Sequence, residues 1–303
     1  MVNYAIKSFI HEQKDFCENF NKYMNNVYEK ELGLFNVTFN NLKFQIYLFK
    51  SINFLVNEIK QFGNFEFDIG NNIIESLNYF SKKKKISNNK DILILDIGGN
   101  VGWYPSLLGR FNYTILSFEA FEKNNYVGKK NYCYLNKNSN IIIIPYGLGA
   151  EEKICHYFSH RNNPGNGMIK CGNKKIINKE LNKIFYEVGK VEITTLKYFI
   201  PYLSNKNLAL IKIDVEGQEL KILKGGLELI TKFHIPFIVL EFTPYALIEE
   251  NSKPRNLLRL FINNGYKISL KGFLSRIYIT MEDLLKYGDI QNNVYFIHKS
   301  ILK

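Results

Sequence analysis

Acids and glycines follow one apolar segment of the chain in an arrangement that suits ligand binding. Residues 92–95 are wholly apolar, as expected of a strand covered on both faces, and Asp96 stands at its carboxyl end. The turn that follows contains Gly98, Gly99, Asn100 and Gly102. A dinucleotide fingerprint has glycine in the place of Asn100, because the backbone must approach a pyrophosphate there. The turn therefore predicts a cationic ligand without phosphates, and S-adenosyl-L-methionine, with its sulfonium and ammonium groups, is the common one.

A second acid follows the next apolar segment, residues 114–118. Glu119 lies 23 residues after Asp96, close to the spacing at which an acid binds ribose hydroxyls. A carboxylate suits this role because two vicinal hydroxyls can each donate a hydrogen bond to it. The third apolar segment, residues 140–144, leads to a turn that contains Gly147 and Leu148. Three successive strand ends are therefore expected to meet at one crevice.

Acids also follow the fourth apolar segment, residues 208–213. Strand alternation directs Lys212 and Asp214 to one side, and Glu216 follows in the turn. Charge is therefore expected to concentrate beside the substrate. The alternative is a structural ion-pair cluster that only fixes the wall of the crevice.

The elements that must position these residues alternate between strand and helix from Asp91 onward, which predicts a parallel sheet with helices on both faces. The last two predicted strands, near residues 266–270 and 294–298, are expected to form an antiparallel pair at its end. The fold class is thus α/β, a Rossmann-like sheet, with a small N-terminal α+β region. Residues 1–90 are expected to be a cap of unknown role, and residues 91–303 the main domain.

Two segments depart from this alternation. Residues 151–194 are expected to be an inserted strand and loop, either a lid over the ligand or a disordered segment. The basic run Lys82–Lys85 is expected to be a solvated linker rather than a binding site.

Composition limits the partners. The 303 residues are 46% hydrophobic, enough for one large α/β domain with a subdomain or for two modest domains. The net charge of +12 would suit a nucleic acid or a membrane surface. Lysine is spread along the whole chain and arginine is scarce, so a nucleic acid is an alternative that the pattern disfavours.

The cysteines and the hydropathy predict the compartment. Cys17, Cys133, Cys155 and Cys171 lack any C-x-x-C pair or zinc spacing, so we expect neither a metal site nor a disulfide framework. No apolar stretch approaches the length of a membrane span, and the first residues lack the apolar core of a signal peptide. The expectation is a soluble cytoplasmic protein in a reducing compartment.

Five motifs in order resemble one family. They are Asp96-Ile-Gly-Gly-Asn100, Ser117-Phe-Glu-Ala120, Tyr146-Gly-Leu-Gly-Ala150, Lys212-Ile-Asp-Val-Glu-Gly-Gln-Glu219 and Phe237-Ile-Val-Leu-Glu-Phe242. The combination resembles the FkbM family of S-adenosylmethionine-dependent methyltransferases over roughly residues 91–300. The resemblance implies a seven-stranded methyltransferase fold and methyl transfer to a hydroxyl of a sugar or small natural product. The residues that would bind the cofactor are Asp96, Gly98, Gly99, Asn100, Glu119, Ala120, Gly147 and Leu148.

Asp214 is the first candidate for a general base or for orienting an acceptor hydroxyl, and Glu241 is the second. His156 or His160 on the insertion is a third, although a histidine on an insertion is more often an ordinary surface residue. The family often has histidine where this chain has Thr243, so no histidine base is assigned from the resemblance. The rival functions are methylation of a nucleic acid and noncatalytic binding of S-adenosylmethionine.

Overall fold

The computed structural model describes residues 2–19, 28–51, 54–135, 140–161, 163–172, 183–203, 206–288 and 291–302. The strands are β1 (Leu32–Phe39), β2 (Leu42–Phe49), β3 (Ile92–Ile97), β4 (Thr114–Phe118), β5 (Ile141–Ile144), β6 (Gly147–Leu148), β7 (Lys153–His160), β8 (Asn163–Lys170), β9 (Phe185–Thr194), β10 (Asn207–Ile213), β11 (Phe237–Phe242), β12 (Tyr266–Ser269) and β13 (Asn292–His298). The helices are α1 (Val2–Glu18), α2 (Phe54–Phe62), α3 (Phe67–Lys84), α4 (Trp103–Gly109), α5 (Glu122–Leu135), α6 (Leu196–Leu203), α7 (Glu219–Gly225), α8 (Leu227–Thr231), α9 (Pro244–Glu249), α10 (Pro254–Asn263), α11 (Met281–Leu285) and α12 (Lys299–Leu302).

The main sheet has seven strands in the order β12-β13-β11-β10-β3-β4-β5. The strands β11, β10, β3, β4 and β5 are mutually parallel, whereas β13 runs antiparallel to both β11 and β12. The predicted antiparallel pair is therefore present, and β13 lies between β12 and the parallel strands. This sheet, with helices packed against it, confirms the predicted Rossmann-like α/β fold.

Both faces of the sheet are covered. Along β3, Ile92 and Ile94 belong to one hydrophobic core, while Leu93 and Leu95 belong to the other. Alternate side chains of a strand point to opposite faces, so a strand buried on both sides needs an uninterrupted apolar run. The same rule leaves the strand ends as the place where polar residues gather.

The described residues of the N-terminal region share a hydrophobic core with the main sheet. Phe16 of α1, Phe39 of β1 and Leu77 of α3 pack in the same cluster as Ile92 and Ile94. The helix α1 also covers the edge strand β5, since the buried Gln13 donates to Ile141 O and accepts from Ile143 N. These contacts satisfy backbone groups that an uncovered edge would leave exposed. The predicted division at residue 90 stays a prediction.

Several predicted elements differ from the structure. The sequence of residues 218–231 predicts one helix, but the structure has two, α7 and α8, separated at Gly226, where a Cβ would lie 2.4 Å from Leu196 Cβ. The expected linker Lys82–Lys85 begins as the last turn of α3, because Lys82 to Lys84 are helical. Cations are favourable at that end of the helix dipole. The loose helical pattern predicted for residues 4–32 includes residues 20–27, which lie outside the described part.

The insertion forms a second sheet with the order β6-β9-β7-β8. The strand β7 pairs antiparallel with both β8 and β9, and β6 pairs parallel with β9. The sequence predicted one strand and a loop for the insertion. Over the described residues the structure instead has three strands, β7, β8 and β9, in one sheet with β6. Asn162 of the expected lid loop, and residues 173–182, lie outside the described part.

The prediction for the cysteines is wrong. Cys17 is bonded to Cys133, joining α1 to α5, and Cys155 is bonded to Cys171 within the insertion. Both pairs join residues too far apart in the sequence for a spacing rule to reveal. The expectation of a reducing compartment was based on the predicted absence of disulfides. The two disulfides remove that support, since such bonds persist mainly in oxidising environments. In the described residues no helix is long and apolar enough to cross a membrane.

Candidate active site

A cavity of about 780 Å³ opens at the carboxyl ends of the parallel strands. This size is typical of small-molecule sites. Nine of the ten predicted site residues line it: Gly98, Gly99, Asn100, Glu119, Ala120, Gly147, Leu148, Asp214 and Glu241. The structure therefore brings together the ends of β3, β4, β10 and β11, as parallel topology requires.

The glycine turn after β3 is held by close backbone contacts. Gly98 has a φ of +84°, and a Cβ there would lie 1.9 Å from the carbonyl oxygen of Asp214. The backbone N–H groups of Gly98 and Gly99 both donate to Phe118 O. Asn100 has a φ of +47°, a conformation that asparagine tolerates better than most residues. The glycines are thus required for packing of the turn against β4 and the β10 loop.

Glu119 is fixed at the mouth of the cavity by two backbone groups. Asn100 N donates to its Oε2 at 2.7 Å, and Phe121 N donates to its Oε1 at 2.8 Å. Burial raises the pKa of Glu119 to about 7, although these two hydrogen bonds oppose the rise. Each carboxylate oxygen has a further acceptor position, so a pair of ligand hydroxyls could still donate to it.

Asp96 is the one predicted site residue that does not line the cavity. It is 1% exposed, and Ser117 Oγ donates to its Oδ2 at 2.8 Å. Its Oδ1 is buried without a hydrogen-bond partner among the described residues. Burial raises the pKa of Asp96, and the nearby Lys212 opposes that rise. Its predicted contact with the cofactor stays a prediction.

Two asparagines that line the cavity have a buried side-chain oxygen without a partner in the described part of the chain. Within the described residues, Oδ1 of Asn100 and Oδ1 of Asn124 are buried and have no hydrogen-bond partner. Both residues line the cavity, and Asn124 is 1% exposed. Because a buried polar atom without a partner is costly, these oxygens suit donor groups of a ligand. Asn124 was missed from the sequence because nothing local marks one asparagine of α5 as facing the site.

Lys212 organises the acids at the end of β10. Its Nζ lies 3.0 Å from Asp214 Oδ2, and both side chains line the cavity. Burial opposes the charge of Lys212, but Asp214, Asp96 and Glu66 together raise its pKa above the usual range. Glu66 comes from the N-terminal region, and burial raises its pKa. The ion pair between Lys212 and Asp214 agrees with the predicted structural cluster. Because Asp214 also lines the cavity, the pair is equally compatible with a catalytic role of Asp214.

Three carboxylates form a compact group beside this ion pair. Asp214, Glu216 and Glu241 each offer an oxygen, and the three oxygens lie within 4.8 Å of one another. Burial, and then the charge of Asp214, raise the pKa of Glu241 to about 8 and that of Glu216 to about 7. Hard divalent cations prefer such oxygen ligands, so these residues could hold one. The sequence predicted no metal site, because the acids come from two different strand ends.

The histidines of the insertion are not brought to the cavity. His156 and His160 are absent from its lining, and His156 Nδ1 lies 2.5 Å from Glu187 Oε1 within the second sheet. The insertion instead contributes Tyr157, Gly167 and Ile169 to the cavity wall. The insertion thus borders the cavity, as a cover for the ligand would, but it does so through residues other than the two histidines.

Comparison with known protein families identifies the family of this chain. The profile described as Methyltransferase FkbM domain matches residues 96–268, more than half of the 303-residue chain. The chain belongs to this family. All five motifs of the FkbM resemblance begin within the matched range, and the predicted family is confirmed. The matched range also contains every predicted site residue.

Three known proteins show the extent of similarity to this member of the FkbM family. Methyltransferase 1 of Beauveria bassiana (strain ARSEF 2860) is 29% identical over 146 residues, which are 45% of this chain and 58% of the relative. The chain therefore spans less than two thirds of that curated relative. The crystal structure of monomeric WbdD matches 90% of this chain and 48% of its own, at 12% identity and a TM-score of 0.46. A TehB-like SAM-dependent methyltransferase from Corynebacterium glutamicum ATCC 13032 matches 80% and 94%, at 10% identity and a TM-score of 0.37. At these identities and TM-scores, the two structural likenesses do not inform the activity.

Proposed function

We propose that this FkbM-family methyltransferase transfers a methyl group from S-adenosyl-L-methionine to a hydroxyl of a small-molecule or glycan acceptor. The observation that carries the proposal is Glu119, whose carboxylate is held by Asn100 N and Phe121 N at the edge of the cavity. A carboxylate fixed in this way is prepared to accept hydrogen bonds from the two ribose hydroxyls. The unpartnered oxygens of Asn100 and Asn124 suit the donor groups of the same cofactor.

The acids of the site also fit the charge of this cofactor. When bound, S-adenosylmethionine would supply an activated methyl group, which passes to the acceptor oxygen as its bond to sulfur breaks, with S-adenosylhomocysteine as the leaving group. The six carboxylates of the cavity lining favour a ligand with cationic groups. The main contribution of the protein is to hold the acceptor oxygen close to the methyl carbon and in line with it, which can supply much of the rate.

Asp214 is the proposed base for the acceptor proton. Its Oδ2 lies 3.0 Å from Lys212 Nζ, and the carboxylate can accept a hydrogen bond from the acceptor hydroxyl and take up its proton. Glu241 is the second candidate, since a pKa of about 8 lies close to an ordinary working pH. Both side chains line the same cavity.

The function is tested by calorimetry followed by an acceptor screen. The protein is expected to bind S-adenosylmethionine and S-adenosylhomocysteine, and to bind NAD more weakly or not at all. Release of S-adenosylhomocysteine is then measured with neutral, amino-bearing and phosphorylated hydroxyl compounds. Tighter binding of NAD than of S-adenosylmethionine would refute the cofactor assignment. Cofactor binding without turnover on any acceptor would favour a noncatalytic binding module.

Methylation of a nucleic acid is the second candidate, because the net charge is +12. The cavity itself disfavours this candidate, since its lining carries six acids and one lysine. Binding to RNA or DNA would fall steeply with salt. Neutralising Lys82 to Lys85 should leave methyl transfer to a small molecule nearly unchanged, whereas rapid RNA methylation abolished by this change would reverse the assignment.

A further inference from the structure

One wall of the cavity comes from the N-terminal region, to which the sequence assigned no role. The residues that form this wall are Leu48, Phe49, Phe54, Leu55, Glu58, Phe65 and Glu66. They belong to the end of β2, to α2 and to the segment before α3. The cofactor-binding candidates lie instead on the turns after β3, β4 and β5. The N-terminal region therefore forms a different side of the cavity from the turns that are expected to bind the cofactor.

Aromatic rings follow one another along this wall. The ring centroids of Phe54 and Phe65 are 5.9 Å apart, and those of Phe65 and Trp103 are 5.8 Å apart. Phe54 is 64% exposed, whereas Trp103 is 3% exposed. The series thus runs from the rim of the cavity to its interior. Aromatic faces of this kind suit a ring with an apolar face, such as the face of a sugar that carries C–H groups.

Polar groups accompany the rings. Trp103 Nε1 is buried and has no hydrogen-bond partner within the described residues, although Trp103 lines the cavity. Trp103 therefore contributes its ring, rather than its N–H group, to the cavity wall. Glu58 and Glu66 offer carboxylate oxygens that accept hydrogen bonds from hydroxyl or ammonium groups.

The charge of the cavity is opposite to that of the protein. Across the described residues its lining has six carboxylates, those of Glu58, Glu66, Glu119, Asp214, Glu216 and Glu241, and one ammonium group, that of Lys212. The whole chain has a net charge of +12. Within this described lining Lys212 is the one cation that could bind an anion, it is already paired with Asp214, and those acids that are ionised repel an anion, so a phosphate or carboxylate on the acceptor would be rejected.

We propose that these seven residues of the N-terminal region form an acceptor-binding wall, which takes a hydroxylated ring that is uncharged or carries an amine, and which excludes anionic acceptors. This inference rests on the proposed methyl transfer, because it names the acceptor class for the same site. The wall stacks the apolar face of the ring on Phe54, whose ring plane lies at 78° to that of Phe65. Glu58 and Glu66 accept hydrogen bonds from its hydroxyl or ammonium groups.

Trp103 provides a direct measurement, because it is the only tryptophan of the chain. Its emission is followed while the full-length protein is titrated with methyl α-D-glucopyranoside, D-glucosamine or D-glucuronate. These three probes share a ring and differ in charge. The neutral and amino probes are expected to bind at least tenfold more tightly than the carboxylate. Equal or tighter binding of the carboxylate, or no response that separates the three, overturns the proposal.

Matched variants locate the effect. Phe54→Ala is expected to weaken binding of the neutral probe about tenfold, whereas Phe62→Ala, on the same helix and 57% exposed, should leave it unchanged. Glu58→Lys should improve binding of D-glucuronate, and Glu75→Lys on the exposed side of α3 should not. Equal effects of the two phenylalanine variants, or of the two lysine variants, contradict the assignment of the wall.

Calorimetry with S-adenosylhomocysteine on the same samples separates this proposal from the proposed function. If S-adenosylhomocysteine binds and the probe pattern is absent, the wall is wrongly assigned while the function stands. If the probe pattern is present and S-adenosylhomocysteine does not bind, the methyltransferase function fails while the wall remains a ligand site.

Discussion

The hydroxyl of Tyr104 donates a 2.6 Å hydrogen bond to Oε2 of Glu66. Tyr104 lies in the first turn of α4, directly after the glycine turn, and Glu66 lies immediately before α3 of the N-terminal region. Both side chains line the cavity. This contact joins the N-terminal region to the turn after β3, so the two parts of the chain build one site.

Removing the carboxylate of Glu119 should weaken cofactor binding. Glu119→Ala deletes the acceptor of two ribose hydrogen bonds, each worth on the order of 1.5 to 3 kcal/mol before water compensates. We expect S-adenosylhomocysteine affinity, measured by calorimetry, to fall at least tenfold. Glu122→Ala, an exposed position three residues later, is the control and should bind normally. Unchanged affinity in Glu119→Ala would remove the main support for the cofactor assignment.

Asp214→Asn keeps the shape of the side chain and removes its charge. If Asp214 receives the acceptor proton, transfer should fall by about 10²-fold, the usual scale for loss of a general base. S-adenosylmethionine affinity should change little, and folding is checked by circular dichroism. A folded and fully active variant would transfer the role to Glu241. Loss of cofactor binding would place Asp214 in the cofactor site or in the structural charge cluster.

The pH dependence of transfer should identify the contribution of Glu241. Its pKa of about 8, raised by burial and by Asp214, means that the carboxylate is mostly protonated at pH 7. If the ionised form is needed, kcat/KM should rise as the pH increases through about 8. Glu241→Gln should lower the rate and remove that limb of the profile. A profile that keeps the same limb in Glu241→Gln would assign the titration to another group.

Glu219 should make the unliganded protein less stable as the pH rises. Burial raises its pKa from 4.5 to about 7, so between these values the folded state binds more protons than the unfolded state. Stability therefore falls as the pH increases through this window. We expect the melting temperature to fall between pH 5 and pH 8, and to fall less in Glu219→Gln. Parallel curves for the two proteins would show that Glu219 titrates normally.

Reduction of Cys17–Cys133 should destabilise the protein. This disulfide closes a loop with a sequence separation of 116 residues, and bonds that close long loops typically contribute 2–4 kcal/mol. The variant Cys17→Ser with Cys133→Ser should melt at a lower temperature than the wild type under oxidising conditions. A reducing agent should remove most of that difference. Equal melting temperatures without reductant, or four alkylated thiols in the native protein, would contradict the pairing.

The sequence alone determined those elements that depend only on the residues of one short segment. The strand 114–118 was predicted with the bounds that the structure shows, because a buried parallel strand needs an apolar run. Parallel strands end at the same edge of a sheet. For that reason Glu119, Asp214 and Glu241 could be assigned to one cavity before any distance was known.

Tertiary structure decided the contacts between distant segments. No local pattern shows that Phe54 and Glu66 reach the cavity, that Cys17 meets Cys133, or that Glu119 lines the cavity while Asp96 does not. These outcomes depend on how residues 1–90 pack against the sheet, since the packing of a shared core brings together residues that are far apart in the chain. The sequence determined the chemistry at the strand ends, and the packing of the N-terminal region decided what surrounds it.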